Sequence, residues 1–523
     1  MAKESTGRHA FLVASGILIS RLVGLARQRV FSGYFGQLDE ADAFIAAFRV
    51  PNFLQNLFGE GVLSASFIPV YARLLAQDDE EEAGRVAGAI GAILALATSV
   101  MVLVGVLLTP YLIWAVAPGF EGAKRELTIE LVRILFPGAG LLVFSAWSLG
   151  ILNSHRKFFL SYTAPVIWNV AMIATMVAFR RKDLATLAVY LAWGSVAGSA
   201  LQFLVQLPTV LRMTGRLRLR LDTAAANVRE VMRNFAPVFV SRGVVQISAY
   251  VDQLIASVLG PGAVAALGNA QSIYTLPVSL FGMAVSAAEL PAMSGTLGTD
   301  EEVQARLRRR LNAGLRQIAF FIVPSAMAFI ALGDVVAAAL YEHGKFTHEN
   351  SVYVWGIIAG SAVGLLASTL GRLYASTYYA LRDTRTPLRY ASLRVVLTVG
   401  LGYLCAVPLP RWLGIDSHWG AAGLTASAGV AGWVEFTLLR RALNARIGAT
   451  GVAAGLIARL WAAALIGAAA GWGIKIASAG LDPIRMAAVV LVPYGLVYFG
   501  ASYLMGVEEC GAMFERLARL LRR

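Results

Sequence analysis

Long apolar runs alternate with short polar connections along the whole chain. Crossing a hydrocarbon layer of about 30 Å at 1.5 Å per residue takes roughly 20 residues. Runs that long recur at 10–36, 43–74, 86–116, 127–152, 158–179, 184–211, 235–259, 264–294, 315–340, 352–381, 388–408, 418–441, 453–476 and 484–505. The pattern predicts an all-α polytopic membrane protein with about 14 transmembrane helices. The run 43–74 is the most polar, with Asn52, Gln55, Asn56 and Glu60 inside it. The first run, from Ala10, is interrupted by Arg21 and Arg27 and has no small-residue cleavage site after it. It is therefore expected to be a span and not a cleaved signal peptide.

Composition agrees with lipid as the solvent. Of 523 residues, 58% are hydrophobic and 15% charged, and the mean hydropathy is +0.66. Soluble chains carry about 25% charge, so a water-soluble fold is excluded. The formal charge is +14, but the cations sit mostly in short loops and form no soluble basic face for nucleic acid. Alternate loops are basic: Arg156 and Lys157; Arg216 to Arg233; Arg306 to Arg316; Arg382 and Arg385; Arg440 to Arg446; and the tail from Arg516. Such loops resist translocation, so both termini are expected in the cytoplasm. Arg180, Arg181 and Lys182 form one contrary loop.

Motifs exclude several chemistries. Cys405 and Cys510 belong to no cluster, and the five histidines show no metal-ligand spacing. No phosphate-binding GxxxxGK[ST], HExxH or GxSxG is present, so neither an ATP site nor a resident metal or cofactor is expected. A coupling ion or the membrane potential stays open as the driving force. The acidic run Asp78 to Glu82 lies beside a loop and reads as a solvated helix start.

The informative residues are charges inside the spans: Arg21, Arg27, Arg49, Glu60, Arg242, Asp252, Glu289, Arg372 and Glu435. A centred charge costs about 2.5–3.5 kcal/mol on insertion scales, so such groups face a wet cavity or pair. Arg21 and Arg27 are six apart, which is not one face of an ideal helix. Three arginines on the first two spans, without matching carboxylates, point to an anionic ligand. The planar guanidinium is well suited to phosphate.

Ser20-Arg21 and Pro69 have a faint echo one half-chain later in Ser241-Arg242 and Pro291. Internal repeats of this kind mark secondary transporters. The same stretches carry a family resemblance: SRLVGLARQRVFSGYFG at 20–36, DAFIAAFRVPNFLQNLFGEGVLSASFIPVY at 42–71, APGF at 117–120, ILNSHRKF at 151–158, AP at 164–165 with Asn169, YEHGKFT at 341–347 and YYALRDTRTP at 378–387. In order and spacing they resemble the MurJ/MviN family of lipid II flippases, in the multidrug/oligosaccharidyl-lipid/polysaccharide exporter superfamily. The resemblance implies two six-helix lobes around a central cavity, residues 1–213 and 214–447. A C-terminal helix pair with a basic tail, 448–523, would hold the polyprenyl chain. It implies movement of lipid-linked peptidoglycan precursor between leaflets, with no bond made or broken. Cavity cations fall on Arg21, Arg27, Arg49 and Arg372, and acidic positions on Asp42 and Glu60.

Departures accompany the match. Gln55 and Ser272 stand where the family has arginines, and Arg242 stands where the family is apolar. Arg242 is expected to compensate as a further ligand of the diphosphate. Thr398, Gly402 and Glu435 stand where the family commonly has asparagines, so the resemblance does not carry a family sodium site over to this chain. The expected partners are lipid II, membrane lipids and proteins of cell-wall synthesis. Three alternatives remain open at this level: a flippase of another polyprenyl-diphosphate oligosaccharide or a multidrug exporter of the same superfamily, a membrane-embedded enzyme acting on lipid diphosphates, and a non-transporting scaffold of cell-wall synthesis.

Overall fold

The computed structural model describes residues 2–215, 220–283, 285–286, 289, 293, 300–381, 383–511 and 513; side chains at 2–15, 17–18, 60–61, 65, 236–249 and 300 are outside that description. The chain is 87% helical and has no strand among the described residues. Among the described residues, ten helical segments are long and apolar enough to cross a membrane. By contacts the chain forms two compact units, Met1–Ala265 and Ala266–Arg523.

The first unit contains α1 (Ala2–Phe35), α2 (Asp39–Phe58), α3 (Glu60–Ala76), α4 (Glu80–Val116), α5 (Gly122–Ser154), α6 (Phe158–Ala178), α7 (Leu184–Met213) and α8 (Ala226–Ser257). α5 lies at its centre and packs on α7, α2, α4 and α3. α4 to α7 are among the ten apolar segments. α2 is not, because Arg49, Asn52, Gln55 and Asn56 interrupt it, and α3, at 17 residues, is too short. The expected span 43–74 is two helices. Gly59 between them is extended (φ −83°, ψ −159°), and a Cβ there would lie 2.1 Å from the Gln55 carbonyl oxygen.

The second unit begins within α9 (Ala263–Pro277), which passes into a π-helical turn, Val278–Met283. The run 264–294 is therefore not one regular helix. Then follow α10 (Asp300–Ala331), α11 (Gly333–Tyr341), α12 (His348–Ala380), α13 (Arg385–Ala406), the short α14 (Pro408–Leu413), α15 (Gly420–Ile447), α16 (Ala454–Ala477) and α17 (Pro483–Leu504). The expected span 315–340 also breaks. A Cβ on Gly333 would stand 2.5 Å from the Trp355 ring, so the chain bends where only glycine fits. α12 and α15 approach so closely that a Cβ on Gly364 would lie 2.3 Å from the Gly429 Cα. Small residues permit such contact where lipid gives no hydrophobic drive.

Polar pairs staple the second unit. Pro324 lacks an N–H, so the Phe320 carbonyl loses its helical donor. The Tyr498 hydroxyl donates to that carbonyl at 2.6 Å, and Tyr494 donates to the Pro324 carbonyl at 2.5 Å. Lys475 on α16 pairs with the buried Asp334 of α11 at 2.5 Å. Between α12 and α13, Asp383 accepts from the backbone N–H groups of Arg385 and Thr386, from the Thr386 hydroxyl and from Arg446. The Thr386 hydrogen bonds, followed by the Arg446 guanidinium, hold its carboxyl down at about 2.

Candidate functional site

The basic residues of α1 and α2 are set by their neighbours in the first unit. α1 runs unbroken through Gly24, so Arg21 and Arg27 lie about 9 Å apart along the axis and on different faces. Arg21 is exposed. Arg27 is partly buried, with its guanidinium 4.8 Å from the Trp168 ring centroid and Nη1 donating to the Met172 sulfur at 3.6 Å. The Trp168 ring stacks in turn on Phe48 at 5.6 Å. Cation–π contact stabilises a guanidinium without neutralising it. Among the described residues no carboxylate comes within ion-pair distance of Arg21 or Arg27. Asn169, one position after Trp168, is 6% exposed and donates to the Pro165 carbonyl, while its side-chain oxygen has no hydrogen-bond partner.

Arg49 is held differently. The Tyr250 hydroxyl on α8 donates to its backbone carbonyl at 2.7 Å, and the Asp252 carboxylate on the same helix attracts its guanidinium. α8 thus fixes the middle of α2 and offsets part of the Arg49 charge.

Asp42, two helical turns before Arg49, is fully buried. Its oxygens accept from Lys124 Nζ, Gly262 N and Ala265 N, each at 2.7 Å. Lys124 also meets Asp39 at 2.9 Å. The carboxylate latches the start of α2 to the start of α5 and to the turn after α8. Gly262 suits that turn: its φ is +79°, and a Cβ would lie 2.5 Å from the Gln37 carbonyl oxygen.

Arg372 is exposed on α12 in the second unit and has no polar side-chain partner among the described residues. The side chains of Arg242, on α8, and of Glu60, at the head of α3, lie outside the described residues. Gln55 is half-buried, and exposed Ser272 donates to the Gly268 carbonyl at 3.0 Å. Glu289 meets Arg310 at 3.3 Å and Glu435 meets Arg394 at 3.0 Å, so these two in-span acids are paired. Sequence reasoning missed Trp168, Tyr250 and Lys124. Trp168 sits beside Asn169, which the motif match had marked, and Lys124 closely follows the APGF motif.

Many apolar helices, in-span guanidiniums without acidic partners and aromatic supports define a polytopic helical membrane protein of the transporter class. The chain belongs to the MurJ family: the model of that family, described as lipid II flippase MurJ, matches residues 31–492. Lipid II flippase MurJ of Burkholderia cenocepacia is 31% identical, covering 98% of this chain and 99% of that one. A probable lipid II flippase MurJ of Rhizobium tropici is 32% identical over 82% of this chain and 80% of its own length. Among solved structures, a lipid II flippase MurJ in an inward closed conformation aligns with a TM-score of 0.77 at 22% identity, covering 94% of this chain and 98% of that one. An inward-facing multidrug resistance MATE family transporter of the MOP superfamily aligns at 0.64 and 20% identity, over 83% of this chain and 98% of its own. These two structural likenesses concern the fold.

Proposed function

We propose that this chain is a lipid II flippase of a bacterial inner membrane, carrying the undecaprenyl-diphosphate-linked peptidoglycan precursor from the inner to the outer leaflet by alternating access. It is a transporter and not an enzyme. The observation that carries the substrate chemistry is Arg27, a partly buried guanidinium stacked over Trp168 with no carboxylate beside it. A diphosphate supplies the missing charge, and a low dielectric strengthens the attraction. Arg21 and Arg49 extend the basic surface of the first unit. Asp42 holds the frame that carries Arg49. A cation exporter of the same superfamily is disfavoured, because unpaired arginines repel cationic drugs. The full arrangement comprises fourteen spans in two six-helix lobes, residues 1–213 and 214–447, plus a C-terminal pair, with both termini cytoplasmic and cell-wall synthases as neighbours in the membrane.

The test is a reconstituted system. Purified protein in proteoliposomes is given fluorescent lipid II, and headgroup access is followed from outside. The wild type moves the lipid, and Arg27→Ala slows movement at least about tenfold, the equivalent of losing one charged hydrogen bond. A folded wild type that leaves lipid II in place, or an Arg27→Ala variant with full activity, overturns the reading.

A further inference from the structure

α5 carries a second polar feature that the flippase reading does not use. Glu126, Glu130 and Arg133 stand at i, i+4 and i+7, on one face of the helix. The opposite face, with Thr128, Leu131, Val132 and Leu135, is buried in the unit. The polar face is exposed, and so are large apolar side chains on the flanking helices: Tyr111 and Trp114 of α4 at 72% and 70%, and Trp193 of α7 at 56%. Apolar exposure on both sides of a membrane-spanning helix marks a lipid-facing surface. The three charged side chains nonetheless share a pocket of about 540 Å3 there, with Pro137 and Trp193 in its wall. None of the three makes a hydrogen bond or ion pair with another described residue. The two acids and the base share one face, yet no ion pair closes between them, which leaves each free to meet a charge from outside the protein.

The order of the charges selects the occupant. α5 begins at Gly122, so Glu126 lies about 6 Å from the helix start and Arg133 about 17 Å. The acids are nearer the membrane surface and the base is deeper. A zwitterionic phospholipid has the same order, with its ammonium outward and its phosphate closer to the acyl chains. The amphipathic ring of Trp193 suits the headgroup level and offers its face to an ammonium. We infer that this pocket binds the headgroup of phosphatidylethanolamine, with the primary ammonium donating to Glu126 and Glu130 and the phosphate accepting from Arg133. With the termini in the cytoplasm, the lipid belongs to the outer leaflet; the binding chemistry holds for either orientation. The site is separate from the arginines of α1 and α2.

The test is lipid retention by the purified full-length protein, read by native mass spectrometry with phosphatidylethanolamine, phosphatidylcholine or phosphatidylglycerol added. The quaternary ammonium of phosphatidylcholine donates no hydrogen bond, and phosphatidylglycerol has no ammonium. The wild type should hold phosphatidylethanolamine about tenfold more tightly than either, a difference of ~1.4 kcal/mol. Glu126→Gln with Glu130→Gln should abolish that preference. Arg133→Gln should weaken all three lipids, and Arg133→Lys should restore part of the binding. If the double variant does not fold, the two single glutamine variants are read in its place, each with a reduced preference. Equal retention of the three lipids by the wild type overturns the inference, as does an undiminished preference in the glutamine variants. Lipid II movement measured on the same samples reports on the flippase reading separately, since these variants leave Arg21, Arg27 and Arg49 intact.

Discussion

The Tyr498 hydroxyl lies 2.6 Å from the Phe320 carbonyl oxygen, the one acceptor in α10 that Pro324 strips of its helical donor. A proline inside a membrane helix is tolerated when a neighbour satisfies the freed carbonyl. Here α17 does so across 178 residues of sequence. Tyr498→Phe keeps the ring and removes only the donor. It should destabilise the protein by about 1–3 kcal/mol, the cost of a buried acceptor left without a partner. Thermal unfolding in detergent measures the loss, and an unchanged midpoint would show that water replaces the hydroxyl.

Asp42 should behave as a latch. Asp42→Ala removes three 2.7 Å contacts and leaves Lys124 with Asp39 alone. Breaking a buried pair in this way costs about 3 kcal/mol or more. The expected result is a lowered unfolding midpoint, with Asp42→Asn intermediate because it keeps an acceptor for the backbone N–H groups. Normal stability of Asp42→Ala would contradict the structural role.

Gly59 separates α2 from α3, and a Cβ there would lie 2.1 Å from the Gln55 carbonyl oxygen. Gly59→Ala must shift backbone rather than a flexible side-chain tip. A destabilisation of about 1–3 kcal/mol is expected, as for other overpacked sites. Gly500, with nothing within 4 Å of its added Cβ, serves as the comparison, and Gly500→Ala should leave stability unchanged or slightly raised. Equal effects at the two positions would remove the steric explanation.

Asp383 gives a pH signature. Its carboxyl is held down at about 2, first by Thr386 and then by Arg446. A depressed folded value means that the charged form is favoured by folding. The contribution is complete above the unfolded value near pH 4 and fades as pH falls towards 2. Asp383→Asn should therefore be less stable than wild type by about 1 kcal/mol at pH 5–8, the scale of a helix-start hydrogen bond. The gap should close on acidification below about pH 4. A gap that grows in acid would reverse the sign and refute the assignment.

Topology is open to labelling. In a background with Cys405→Ala and Cys510→Ala, single cysteines at Ser478 and Arg308 are probed from outside intact cells with an impermeant maleimide. The basic first turns of α10, which carry Arg308, should stay protected and the Ser478 turn should react. Strong labelling of Arg308→Cys would invert the proposed orientation.

Among the described residues, ten of the fourteen expected spans coincide with helical segments apolar enough to cross a membrane, because apolarity over some 20 residues is a local, additive property. The sequence alone also marked Arg21, Arg27 and Arg49, since a guanidinium in an apolar run is conspicuous wherever the chain folds. It could not show that 43–74 breaks at Gly59, because the break depends on the fit of backbone atoms and not on hydropathy. Nor could it tell an arginine stacked on Trp168 from one facing Asp252, as those neighbours arrive from α6 and α8. Asp42 lies 220 residues from Gly262 and 223 from Ala265. Only tertiary packing brings those N–H groups to the carboxylate, and only there does a buried charge cease to be a penalty and become a latch.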